Sequence, residues 1–143
     1  MPAIGELGAE HDRILDLAGR VRRAIARGDG SSARSDFAEL VADLRVHTAV
    51  EETGLFTELR AVGELDWHVA GLSSEHDATG ETTDRLAAMD AAGGEWDAAV
   101  VAFLDELQDH IGREDYDLFP ASIPALAADG WARAADARHR VTD

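Results

Sequence analysis

Apolar residues recur along almost the whole chain at alternating spacings of three and four, and at fixed places in that rhythm a histidine or a glutamate replaces the apolar residue. This period marks amphipathic helices that turn one stripe toward a shared core. Four stripes are legible. The first runs Ile4, Leu7, His11, Ile14, Ala18, Val21, Ile25 and stops at RGDGSS, where Gly28 can end one helix and Ser31 or Ser32 can cap the next. The second runs Phe37, Leu40, Leu44, His47, Glu51, Leu55 and ends near Gly63. A cap at Asp66 opens the third, which reads Leu65, Val69, Leu72, His76, Thr79, Thr83, Leu86 and breaks at Gly93–Gly94. The fourth reads Trp96, Val100, Phe103, Leu107, His110, Glu114, Asp117, and Pro120 and Pro124 close it because proline has no N–H for the helical ladder. After it, IPALAADGWARAADARHRVTD reads as one short helix with Trp131 packed on the bundle and a solvated tail.

No stretch alternates with period two, so no sheet is expected. Short loops between four long helices imply antiparallel neighbours. The expected fold is therefore all-α, an antiparallel up-down-up-down four-helix bundle over about 4–119 with a short C-terminal helical extension at 120–143. At 143 residues and 45% hydrophobic content the chain has enough apolar surface for one core, so a single domain spanning 1–143 is expected.

Charge and cysteine usage narrow the function. Thirteen Lys and Arg against 29 Asp and Glu give a net charge of −16, a field that repels phosphate backbones and anionic head groups. Nucleic acid and membrane surfaces are thus not expected partners. With no cysteine there is no disulfide framework, thiolate metal site or cysteine nucleophile, so any metal must be held by His, Asp or Glu. The start, MPAIGELGAEHDRIL, carries acids where a secretory signal has a basic start and an apolar run, and the longest apolar run, AAVVAFL at 98–104, is far too short to span a bilayer. A cytoplasmic protein is expected.

His11, His47, Glu51, His76, His110 and Glu114 all occupy stripe positions, so each is expected to point inward. Their order repeats. EHD stands at 10–12 and again at 75–77, a shift of 65 (75 − 10), and the two His-x-x-x-Glu pairs are shifted by 63 (110 − 47 and 114 − 51). The chain reads as two helical hairpins related by a pseudo-two-fold axis. Residues four apart stack on one helical face, so each pair can aim both ligand atoms at one point. Burying two carboxylates and four imidazoles without partners costs several kcal/mol per ionised group, on the order of a domain's whole stability. Two cations would offset that cost, each taking two His nitrogens while the two glutamates bridge both ions. A single His-x-x-x-Glu is usually a surface i,i+4 pair, but that reading does not account for two pairs, two more histidines at repeat-related positions and all six on apolar stripes.

These residues resemble the hemerythrin-like HHE cation-binding domains over roughly residues 4–120, through EHDRI, HTAVEETGLF, EHDAT and above all HIGREDYDLFP. The resemblance implies a four-helix bundle with a non-haem di-iron centre bridged by Glu51, Glu114 and a solvent-derived oxygen, with His11 and His47 serving one half and His76 and His110 the other. The sequence departs from the oxygen carriers of the family. They have a fifth histidine one turn from the counterpart of His76, where this chain has Leu72 or Gly80, and an aspartate five residues after the last histidine as second bridge, whereas Glu114 follows His110 by four. Six ligands leave more open coordination positions, which favours a centre that reacts over one that carries oxygen. The resemblance suggests decomposition of hydrogen peroxide, a catalase-like activity with no catalytic residue beyond the metal centre. The alternatives are reversible binding or sensing of oxygen or nitric oxide, or iron binding, without turnover. A plain helical bundle whose histidines and glutamates pair among themselves is a third class. Imidazole and carboxylate also suit zinc or manganese, and ferritin-like centres use Glu-x-x-His spacing instead.

Other polar and aromatic residues have plainer readings. Glu10 and Glu75, beside stripe histidines, read as exposed acids more readily than as partners of an imidazole N–H, because adjacent helical residues point about a hundred degrees apart. Tyr116 reads as a helix-flank residue with its hydroxyl in water, and His68 and His139 as non-ligands. Trp67, Trp96, Trp131, Phe37, Phe56, Phe103 and Phe119 read as core and bundle-end packing.

Overall fold

The computed structural model describes residues 2–90 and 94–142, and every regular element among them is helical. In chain order these are α1 (Pro2–Ala26), α2 (Gly30–Thr53), α3 (Leu55–Val62), α4 (Asp66–Ala88), α5 (Glu95–Arg113), a π segment (Glu114–Leu118), α6 (Phe119–Ala125) and α7 (Ala128–Thr142). The four stripes correspond to α1, α2, α4 and α5. Among them α1 packs on α2 and α5, and α4 packs on α5 and α2.

Helix boundaries follow local chemistry and correct several expectations. Gly28 takes φ +75, as a helix-terminating glycine should, but Asp29 and not Ser31 or Ser32 caps α2, its carboxylate accepting the Ser32 backbone N–H at 3.1 Å. The left-handed glycine turns the chain early, so both serines already lie inside the helix. Leu65 likewise holds the cap position of α4, and Asp66 is its first helical residue, where a negative charge suits the helix dipole. Gly94, at φ +79, precedes α5, while Gly93 of the expected break lies outside the described residues.

Two distortions follow the two stripe glutamates. The second stripe ends at Gly63, at φ +81, but its helix breaks first at Gly54. A Cβ built there would lie 2.8 Å from the Ala134 carbonyl oxygen, the Ala137 Cβ and the Val50 carbonyl oxygen, so only glycine lets α7 approach this closely. On the fourth stripe the helix does not stop at Pro120. It widens into the π segment, where the Phe119 N–H reaches the Glu114 carbonyl, and Pro120 then sits in the first turn of α6, where a missing donor costs little. Pro124 lies in the last turn of α6, and the chain leaves the helix at Leu126.

The C-terminal stretch forms a helix with Trp131 packed on the bundle, as expected, and with His139, Arg140 and Thr142 exposed at its end. α7 buries Trp131, Ala134 and Ala137 and packs on α1, α2 and α3, because its alanines present a narrow apolar face that fits the Gly54 break. Trp67 is not a packing residue: it is 79% exposed and stacks on His68 at the surface. Trp96 is buried as expected, edge-on to Phe37, with its indole N–H donating to the Leu86 carbonyl.

Buried apolar residues form two clusters. One gathers Ile14, Val21, Phe37, Leu40, Leu86, Trp96 and Phe103; the other gathers Leu7, Leu55, Phe56, Leu72, Leu118 and Trp131. α1, α2 and α4 each run from one cluster to the other with the stripe histidine in between, whereas α5 belongs to the first cluster and its stripe reaches the second only at Leu118 of the π segment, beyond His110 and Glu114. No helix among the described residues is long and apolar enough to cross a membrane.

Two glycines should respond oppositely to alanine. Gly54→Ala forces α7 away from the break and should destabilise the fold by about 1–3 kcal/mol. Gly80→Ala, inside α4 with nothing within 4 Å of the added Cβ, should stabilise it by about 0.5–1 kcal/mol. Urea unfolding of the two variants beside the parent chain measures both.

Candidate metal centre

The layer between the two apolar clusters is polar and buried. His11, His47, Glu51, His76, His110 and Glu114 are all buried, with Glu51 and Glu114 fully so. Helical spacing explains the convergence: His47 and Glu51 lie one turn apart on α2, and His110 and Glu114 one turn apart where α5 meets the π segment. His47 Nε2 lies 2.7 Å from Glu51, His110 Nε2 3.3 Å and His11 Nε2 3.2 Å from Glu114. His76 Nε2 stands 3.7 Å from Glu51 and 3.6 Å from Glu114.

Each of the four inner histidines is oriented by a carboxylate on its other nitrogen. Nδ1 of His47 donates to Glu10 at 3.0 Å, that of His110 to Glu75 at 3.3 Å, that of His76 to Glu52 at 2.9 Å and that of His11 to Asp115 at 2.7 Å. Because a carboxylate can only accept, each Nδ1 carries the proton, and in the neutral ring Nε2 keeps its lone pair toward the interior. The reading of Glu10 and Glu75 as exposed acids is therefore corrected. Glu10 is buried and Glu75 half-buried. The hundred-degree turn between adjacent residues swings each away from its own helix's histidine and onto that of the neighbouring helix.

Sequence reasoning missed Glu52 and Asp115 altogether. The signal was present: each of the four inner positions has an acid beside it, preceding the histidine on α1 and α4 and following the glutamate on α2 and the π segment. The whole network obeys the repeat. Glu10–His47 maps on Glu75–His110, and Glu52–His76 on Asp115–His11, through the shifts of 65 and 63. The aromatic packing does the same: Phe119 stacks flat on His11 at 5.5 Å and Phe56 on His76 at 5.2 Å. The imidazole pairs His11–His47 and His76–His110 lie 4.5 and 4.8 Å apart, both tilted by 57°.

A further ring of arginines holds most of the outer acids. Arg138 of α7 clamps Glu10 through two nitrogens at 2.6 and 3.0 Å, Arg60 of α3 donates to Glu52 at 2.9 Å, and Arg113 donates to Glu75. Burial pushes the Glu10 carboxyl up, but His47 and Arg138 outweigh it and bring it down to about 2. Burial likewise opposes ionisation of Glu52, and Ser73, His76 and Arg60 reverse it.

The inner pair behaves differently. Burial, then the charge of Glu114, drives the Glu51 carboxyl well above its ordinary range. Burial acts on Glu114 too, but the imidazoles of His11, His110 and His76 hold it well below. Two carboxylates this close in a dry interior do not both ionise unless positive charge lies between them. His11 and His76 are raised, burial being outweighed by Glu114.

The donor atoms fit a cation. Nε2 of His11, His47 and His110 and all four carboxylate oxygens of Glu51 and Glu114 are buried without a hydrogen-bond partner. Buried polar atoms are almost always paired, so seven unpartnered donor atoms facing one another are a set whose chemistry suits a bound cation. The ligand atoms of His11, His47, Glu51 and Glu114 lie within 4.8 Å of one another, and those of His76, His110 and Glu114 form a second group. Leu72 is buried in the apolar cluster and Gly80 is exposed, so neither supplies a further donor. His68 and His139 lie outside both groups, and Tyr116 is 82% exposed.

No curated protein and no solved structure gave a match to the chain. The family model described as the hemerythrin HHE cation-binding domain matches residues 3–122, which takes in all six inner residues and the four acids behind them. By the match and by its buried cluster of histidine and glutamate, the chain belongs to the hemerythrin HHE cation-binding family.

Proposed function

We propose that His11, His47, Glu51, His76, His110 and Glu114 hold two iron ions, His11 and His47 on one and His76 and His110 on the other, with Glu51 and Glu114 shared between them. The observation that carries this reading is the set of seven buried, unpartnered donor atoms aimed at one another. The sharing is supported by Glu114, which belongs to both ligand groups, and by the position of His76 within 3.7 Å of both glutamates. The frame is read as one domain over 1–143, a cytoplasmic up-down-up-down bundle with α7 as its extension. Short turns at 27–29 and 63–65 and the neighbour pattern of α1, α2, α4 and α5 support the up-down order.

The proposed reaction is decomposition of hydrogen peroxide: one molecule loses two electrons and two protons to become dioxygen, the other gains them and its O–O bond breaks to give two waters. Bound iron would supply the exchange of electrons and open positions for the oxidant. The chain's own part is to orient the four rings, exclude bulk water and hold the proton on each Nδ1 through Glu10, Glu52, Glu75 and Asp115. With Leu72 and Gly80 at the two positions where a fifth histidine could stand, the ligand set is short, which supports reaction over reversible oxygen carriage.

Iron-loaded protein should release dioxygen from peroxide above an iron-salt control. A bound diatomic that persists through repeated cycles without oxidation would instead mean a carrier or sensor. His47→Ala and His110→Ala should each lose bound metal, as read by metal analysis after desalting; stability changes with metal retained would mean a purely structural His–Glu network. Glu10→Gln and Glu75→Gln keep a hydrogen-bond acceptor but remove its charge, and should weaken metal binding by about 10–100-fold.

A further inference from the structure

The two hairpins match around the centre but not beside it. Through the same shifts, Thr79 and Thr82 of α4 stand where α1 has Ile14 and Leu17, and Asp109 and Arg113 of α5 stand where α2 has Val46 and Val50. Ile14 and Leu17 are buried and fill the first hairpin, whose helices run closely packed. α4 and α5 approach each other at far fewer places, and the smaller threonines are only half-buried between them.

The difference leaves a cleft of about 230 Å3 between α4 and α5. Phe103 and Leu107 give it an apolar floor, Thr79 and Thr82 line it, and His110 is the one inner side chain of the six that borders it. Glu75, Glu106 and Asp109 stand around it with a single arginine, Arg113, whose guanidinium is bound to Glu75. That surplus of negative charge repels anions. The volume would hold about seven or eight water-sized molecules at about 30 Å3 each, room enough for a small solute.

We propose that this cleft is the path by which a small neutral oxidant, of the class of hydrogen peroxide or dioxygen, reaches the His110 side of the centre, and that Thr79 and Thr82 keep it open. The proposal rests on the metal-centre reading, because access matters only if the centre reacts. Its test is separable from that reading, since it can be made on metal-free protein.

Dissolved dioxygen is neutral and paramagnetic, so it broadens the NMR signals of whatever it can reach. In the metal-free chain, signals of Thr79, Thr82 and His110 should broaden more than those of Ile14, Leu17 and His47, their counterparts in the first hairpin. The excess at His110 should be lost in Thr79→Ile/Thr82→Leu, which restores the bulk of the first hairpin. Equal broadening in the two hairpins, or an excess that survives the double substitution, would overturn the proposal. If that variant folds poorly, the comparison within the unsubstituted chain still decides. In iron-loaded protein the same substitutions should slow oxidation by peroxide with iron content unchanged; an unchanged rate would also count against it. Failure of the chain to bind iron would sink the metal reading alone, leaving the dioxygen comparison to stand or fall by itself.

Discussion

Two carboxylates buried face to face set the terms for the rest of this molecule. Glu51 and Glu114 have no hydrogen-bond partner on any of their four oxygens, and the imidazole nitrogens nearest them are fully occupied neither by each other nor by the protein. In a dry interior such a pair raises the proton affinity of one member until it stays neutral, which is the direction taken by Glu51. A cation would remove that conflict, supplying the charge that lets both glutamates ionise and engaging the Nε2 lone pairs that the outer acids turn inward.

The outer acids give the centre its geometry, and they work across helices. Among the four inner histidines, no Nδ1 is held by an acid of its own helix: Glu10 of α1 holds His47 of α2, Glu52 of α2 holds His76 of α4, Glu75 of α4 holds His110 of α5, and Asp115 of the π segment holds His11 of α1. The bonds therefore close a ring through the four long helices, so displacement of any one helix disturbs the ligand of the next. Arg138 extends this ring to α7, which lies beyond the residues matched by the family model. The C-terminal helix is thereby tied to the orientation of His47.

Much of this could be read from the sequence, and the parts that could not share a cause. The stripes and the placement of His11, His47, Glu51, His76, His110 and Glu114 follow from a 3.6-residue period, a strictly local property. The partners of those residues depend on which way an off-stripe side chain meets the neighbouring helix, which is tertiary. That is why Glu10 and Glu75 read as surface acids and Glu52 and Asp115 were missed. Pro120 misled for a related reason: proline ends an α-helix, but the π segment that accommodates it arises where Glu114 is turned into the centre. Trp67 misled because size and hydrophobicity favour burial only on average, and this residue lies off the stripe at the start of α4.

Positive charge between Glu51 and Glu114 is the central requirement of this site. Anomalous diffraction at the iron edge, from crystals of iron-loaded protein, tests this directly. Two peaks between the two glutamates, each within bonding distance of two histidine Nε2 atoms, are expected. A centre without an anomalous peak, with His–Glu hydrogen bonds in its place, would contradict the account, and a single peak would contradict the shared pair.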